Sequence, residues 1–191
     1  MSGLLRRATK IMVIRHAEKP PTDPPPYGIT LEGTRENDSL TARGWQRAGA
    51  LASFFAPGNG AFQDPSLAKP QFLYSSKPVK HKGSRRPFET IFPLAEKLKI
   101  RINSDFLKFE TESMLEDAFL CEGVVLICWQ REYILQITDE ILGNKAVAPP
   151  GWPEDRFDMV WVFDRNSSSA QYSFKQIPQS LLTGDLATLM K

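Results

Sequence analysis

Four short apolar segments, each bounded by polar or turn-forming residues and separated by stretches with a helical repeat, constrain this chain more than any other feature. They are Lys10 to Arg15, Gln71 to Tyr74, Val124 to Trp129 and Asp158 to Phe163, and their β-branched and aromatic content marks them as strands. Their apolar character is continuous rather than alternating, so both faces of each strand must be covered. Between them, Trp45, Ala48, Leu51, Ala52 and Phe55 recur at helical spacing behind Thr41, a natural N-cap. Phe88, Ile91, Ala95 and Leu98 do the same over Arg85 to Leu98, and Ile134, Ile137 and Ile141 form a third stripe that stops at Gly143, a natural C-terminal cap. Alternating strands and helices predict an α/β fold: a three-layer sandwich with a mainly parallel central sheet and helices on both faces. A last segment, Gln171 to Lys175, reads as an edge strand or as the hairpin partner of Asp158 to Phe163.

The chain has 191 residues, enough for one domain over 1–191 that buries about two thirds of its unfolded surface without needing disulfides or metal. Neither proline-rich stretch, 20–28 or 146–153, is long enough to separate domains. A net charge of only +2 provides no chain-wide field for nucleic acid or a membrane surface, and neither is expected as a partner. The basic start is followed by an apolar run of only Ile11 to Ile14, too short for a signal peptide, so a cytoplasmic protein is expected. Cys121 and Cys128 flank an apolar run at no ligand spacing and read as buried reduced thiols. With His16 and His81 as the two histidines, no multi-histidine metal centre can form, and Walker and dinucleotide fingerprints are missing. No metal and no cofactor are expected, and composition leaves the oligomeric state open.

The chemistry concentrates where strands end. In an α/β sheet ligands gather at the carboxyl ends of the strands. The first strand runs out into Arg15-His16-Ala17-Glu18, placing a guanidinium and an imidazole together there. The second ends in Tyr74-Ser75-Ser76, followed by a basic stretch of Lys77, Lys80, His81, Lys82, Arg85 and Arg86. A solvated face accounts for most of these charges. Arg86 differs because it lies near a helix N-terminus, where free N–H groups and the dipole already favour an anion. The third strand ends in Cys128-Trp129-Gln130-Arg131 and delivers another guanidinium to the same edge.

In this order the residues resemble the histidine phosphatase superfamily, the phosphoglycerate mutase-like proteins. The matching pieces are Ile14-Arg15-His16-Ala17-Glu18, Leu40-Thr41-Ala42-Arg43-Gly44 with Arg47-Ala48, Ser75-Ser76 with Arg86-Pro87-Phe88-Glu89-Thr90, and Val125 to Trp129, together spanning about residues 10–143. The resemblance implies the phosphoglycerate mutase-like fold, His16 as the nucleophile that takes the phosphoryl group, and Arg15 and Arg86 as catalytic residues that hold its oxygens. A neutral imidazole is a competent nucleophile, and guanidinium forks suit phosphate because they stay charged and bind two oxygens at once. Where the family presents a second histidine, this chain has Arg131, which can bind phosphate but cannot give up its proton. His81, in the basic loop, reads as solvated rather than as a substitute.

The expected activity is metal-independent hydrolysis of a phosphomonoester through a phosphohistidine on His16, with Arg15, Arg86 and Arg131 binding substrate. The alternative is a degenerate member that binds a phosphorylated ligand or partner without turnover. Either way the partner is a small phosphorylated molecule or a phosphoprotein. Hydrolysis is expected over mutase chemistry, since no residues stand out that would close the site against water. The general acid stays unassigned: Glu18, Glu110 and Glu112 read as surface or ion-pair carboxylates. Pro24-Pro25-Pro26-Tyr27 fits a PPxY ligand, but a stiff wall over the pocket is the preferred reading.

Overall fold

A computed structural model describes residues 7–79, 84–143, 147–165 and 171–191. In chain order the elements are β1 (Lys10–Arg15), α1 (Ala42–Phe54), β2 (Phe72–Ser75), α2 (Arg86–Leu98), β3 (Ile102–Asn103), α3 (Thr111–Leu120), β4 (Val124–Trp129), α4 (Arg131–Leu142), β5 (Met159–Arg165) and β6 (Tyr172–Pro178). They form one six-stranded sheet in the order β3-β2-β4-β1-β5-β6. The first four strands of that order are mutually parallel, β5 runs antiparallel to β1, and β6 pairs antiparallel with β5 as its hairpin-like partner.

Side-chain alternation along the strands divides the core into two layers. Met12, Ile14, Leu126, Cys128, Val160 and Val162 point to the face covered by Leu51 of α1, Phe55 at its C-cap, and Ile91 and Leu94 of α2. Ile11, Val13, Val125, Ile127, Trp161 and Phe163 point to the other, against Met114 and Phe119 of α3 and Ile134, Ile137 and Ile141 of α4. Both faces of the central strands are therefore dry, as the continuous apolar runs require. Each fully buried Leu or Ile contributes on the order of 1.5–3 kcal/mol.

The local stops and starts follow from particular residues. Thr41 caps α1 by accepting from the Gly44 N–H at 3.2 Å. Gly143 ends α4 in the left-handed region at φ 68°, donating its N–H to Asp139. Gly44 permits a close approach: a Cβ there would lie 2.5 Å from the Glu18 carbonyl oxygen, so only glycine lets α1 sit this tightly against the chain leaving β1.

Several expectations shift. The second strand is Phe72–Ser75 rather than 71–74, and the segment expected at 158–163 is β5, Met159–Arg165, with the Asp158 carbonyl still accepting from the Gln179 N–H at 2.7 Å just before it. The last strand extends to Pro178, three residues beyond expectation, through continued pairing with β5. Short β3 and helix α3 were not foreseen. Cys128 is buried, but Cys121 is only half-buried, with its sulfur 3.3 Å from the Tyr74 hydroxyl. Among the described residues no helix is long and apolar enough to cross a membrane.

Candidate active site

Parallel pairing brings three strand ends together: Arg15 of β1 lies opposite Trp129 of β4, and Ser75 of β2 opposite Cys128. At this edge lies a cavity of about 350 Å³ lined by Arg15, His16, Arg86 and Arg131, the four residues singled out from the sequence. Lys19, Asp38, Ser84, Lys108, Gln130 and Glu132 also line it. Lys80, His81 and Lys82 lie outside the described residues.

His16 is 5% exposed, and its backbone N–H donates to Trp129 at 3.1 Å, which locks the end of β1 to β4. Its Nδ1 lies 2.7 Å from the Ala17 carbonyl oxygen. A carbonyl only accepts, so Nδ1 carries the proton, and in the neutral ring Nε2 keeps its lone pair. Burial, then the Arg86 and Arg15 charges, hold the imidazole pKa well below its usual value, so the ring is neutral at pH 7.

Arg15 is 2% exposed. Its Nη1 donates to the carbonyls of Pro153, Glu154 and Arg156 at 3.2, 2.6 and 3.0 Å, and its guanidinium carbon sits 3.9 Å over the Phe157 ring. Nε is buried without a hydrogen-bond partner among the described residues. Burial, followed by repulsion from Arg131, lowers its pKa to about 10, and it remains a cation at pH 7. Arg86 begins α2. Its Nε donates to Ser84 Oγ at 2.6 Å, its Nη2 lies 4.0 Å from Asp38, and burial lowers its pKa. Arg131 begins α4 and is more exposed, 4.0 Å from Glu154.

Supporting contacts fix this arrangement. The Thr90 hydroxyl of α2 accepts from the Ala17 N–H at 2.8 Å and donates to the Arg86 carbonyl at 2.7 Å, tying the residue after His16 to the start of α2. Gln130 donates to Ser76 Oγ at 2.7 Å, which couples the ends of β4 and β2. Buried Glu89 accepts from Ser39 Oγ and the Leu40 N–H, holding the segment that carries Asp38 against α2.

Other sequence candidates lie elsewhere. Glu18 is bound to Arg47 at 2.8 Å and Arg43 at 3.3 Å, and Glu110 accepts from the Leu107 N–H, so neither lines the cavity; nor does Glu112. The carboxylates that do line it are Asp38 and Glu132. Pro20, Pro21 and Pro24 form one wall of an adjoining cavity of about 250 Å³ that shares Lys19 and Arg86 with the first. The Tyr27 ring is covered by Arg35, whose guanidinium carbon is 3.1 Å from the ring centroid. Among the described residues no group of three or more His, Cys, Asp or Glu could hold a metal ion.

The molecule is thus an α/β sandwich with a cationic cavity, centred on a neutral imidazole, at the carboxyl edge of its parallel strands. No protein-family model matches the sequence, and no curated protein does. Solved structures do match in three dimensions. SixA from Agrobacterium tumefaciens, assigned as a phosphohistidine phosphatase, is 18% identical with a TM-score of 0.53 over 88% of this chain and 96% of its own. An Escherichia coli K-12 protein assigned as an alpha-ribazole-5'-P phosphatase is 12% identical with a TM-score of 0.57, over 92% of this chain and 100% of its own. The mycobacterial glucosyl-3-phosphoglycerate phosphatase is 12% identical with a TM-score of 0.51, over 89% of this chain and 97% of its own. This chain therefore has the phosphoglycerate mutase-like α/β fold that these structures share.

Proposed function

We propose that this chain is a histidine phosphatase superfamily member that binds a phosphomonoester in the cavity and hydrolyses it through His16. The observation that carries this reading is the state of the ring: a neutral imidazole whose Nδ1 proton is committed to Ala17, in a cavity lined by three guanidinium groups. The substrate is a small phosphorylated molecule or a phosphoprotein.

In the first step Nε2 bonds to phosphorus as the P–O bond to the leaving group breaks. The leaving oxygen takes up a proton from solvent water, and Arg15, Arg86 and Arg131 stabilise the charge spread over the phosphoryl oxygens. The Ala17 carbonyl stabilises the positive charge that the ring acquires on Nδ1–H. Water then bonds to phosphorus as the N–P bond breaks, releasing one proton to solvent, forming inorganic phosphate and restoring the neutral ring. No step is routed through a metal.

One feature favours the non-catalytic alternative. Arg131, where the resemblance expects a second histidine, supplies a fixed positive charge and cannot exchange a proton. The two readings separate by incubating the protein and its His16→Ala variant with p-nitrophenyl phosphate, and by quenching the wild type in alkali to trap phosphohistidine. Turnover with an acid-labile phosphoprotein, both lost in the variant, is the expected result. Phosphate binding with neither would establish the binder instead.

A further inference from the structure

The cavity carries more positive charge than a phosphomonoester neutralises. Among the described residues five cationic ones, Arg15, Lys19, Arg86, Lys108 and Arg131, share its walls with two carboxylates, Asp38 and Glu132. Three positive charges are left in excess, against the two negative charges of a phosphomonoester dianion. One positive charge remains beyond that dianion, and because the proposed phosphate site uses the three arginines, the two lysines are where it resides.

These lysines arrive from different segments. Lys19 follows β1, and Lys108 lies in the connection between β3 and α3, where its carbonyl accepts from Trp129 Nε1 at 2.8 Å and so fixes its backbone beside β4. The Lys108 ammonium makes no ion pair with a described residue. Lys19 has only a loose one, 3.6 Å from a Glu154 carboxylate that is 69% exposed, an arrangement that solvent screens heavily. Lys19 also lines the adjoining proline-walled cavity, so its ammonium borders both spaces. A lysine is a flexible point charge that accepts a carboxylate or a phosphate without the fork geometry of arginine. A cavity of about 350 Å³ is of the size that holds a small molecule.

We propose that the ligand of this site is a small organic phosphate bearing a second acidic group, held by Lys19 and Lys108 while the arginines hold the phosphate. This rests on the phosphate-binding reading above and narrows it to a substrate class.

Calorimetric titration of the full chain with methylphosphonate, phosphonoacetate and methylenediphosphonate tests it, since the first has one acidic group and the others add a carboxylate or a second phosphonate. At least one of the two-headed ligands should bind roughly tenfold or more tighter than methylphosphonate, and which one identifies the second group. That ratio should fall toward one in Lys108→Gln and in Lys19→Gln. Equal binding of all three ligands overturns the proposal and leaves the phosphate site standing, provided methylphosphonate binding depends on Arg15. A ratio unchanged in both lysine variants also overturns it. Failure of methylphosphonate to bind, or binding indifferent to Arg15→Met, overturns the phosphate reading and this proposal together.

Discussion

Arg15 and Arg47 are both 2% exposed, and their surroundings are opposite. Arg47 is enclosed by acceptors that balance it: Nε and Nη2 donate to Glu18, Nη1 to Gln179 and Asp185, and Nη2 again to Asp185 at 2.7 Å. Burial alone would lower its pKa, but Asp185 and Glu18 overcome burial and raise it. Arg15 has carbonyls on one nitrogen, an aromatic face beneath it and no ion pair among the described residues, Glu154 and Glu132 acting on it only from a distance, and burial lowers its pKa to about 10. The first is electrostatically complete and works for the fold. The second is left incomplete by the protein itself, the condition expected of a group whose counterion is a ligand.

Breaking the complete cluster should have the largest effect. Arg47→Met strips buried Asp185 of its cation and leaves Glu18 with only the half-exposed Arg43, and should cost about 3–5 kcal/mol of stability by urea unfolding. A loss below about 1 kcal/mol would remove the contrast between the two arginines.

Ligand linkage comes next. At a hundred times its Kd, phosphate or a phosphonate should stabilise the wild type by about 2.7 kcal/mol, read as a rise in the unfolding midpoint. That rise should survive in Arg47→Met under conditions where it is folded and vanish in Arg15→Met. A rise of equal size in Arg15→Met would show that the incomplete arginine is not an anion ligand.

The two regions should also fail at different pH. His16 has a folded pKa well below its unfolded value of about 6.5, so between the two only the unfolded chain takes up the proton. Stability should therefore fall as pH drops below 6.5, by at most about 1.4 kcal/mol per pH unit, and His16→Asn should flatten that slope. In the Arg47 cluster, burial pushes the Asp185 carboxyl up, but Arg47 and the Leu182 and Leu181 N–H groups outweigh it and bring the pKa below the usual range. Its contribution is present above the unfolded carboxylate pKa of about 3.9 and is lost only as pH falls through the lower folded value. Urea midpoints from pH 8 to pH 3 should resolve the two windows, and a single acid transition that is indifferent to His16→Asn would merge them.

The smallest effect lies at the edge of the Arg47 region. Thr41→Ala removes the cap of α1 and should cost about 1 kcal/mol with the phosphate-induced rise intact. A loss of the ligand response there would mean that α1 and the cavity are coupled.

What was legible in the sequence was whatever a local pattern encodes. The runs from Lys10 and from Val124 gave β1 and β4 with their observed bounds, Thr41 and Gly143 marked helix ends, and the expectation that strand ends carry the site led to Arg15, His16 and Arg131. Strand β3 has two residues and is defined by pairing with β2 rather than by its own pattern. Glu132 and Gln130 were within reach of the same strand-end reasoning, since they adjoin Arg131. Asp38 and Lys108 were not: each sits in a connection whose path depends on distant contacts, Glu89 to Ser39 and Leu40 in one case and Trp129 to Lys108 in the other. The role of Glu18 was open in the sequence because its partner Arg47 is 29 residues away.

The hydroxyl of Thr90 serves two neighbours at once, the Ala17 N–H and the Arg86 carbonyl. A single oxygen therefore sets the spacing between the ring at position 16 and the helix that presents the guanidinium at position 86. Thr90→Val would keep the shape while stranding the Ala17 donor. Helix seating and ring placement thus cannot drift separately during evolution, since any mutation that reseats α2 recalibrates the jaw in which the anion is gripped.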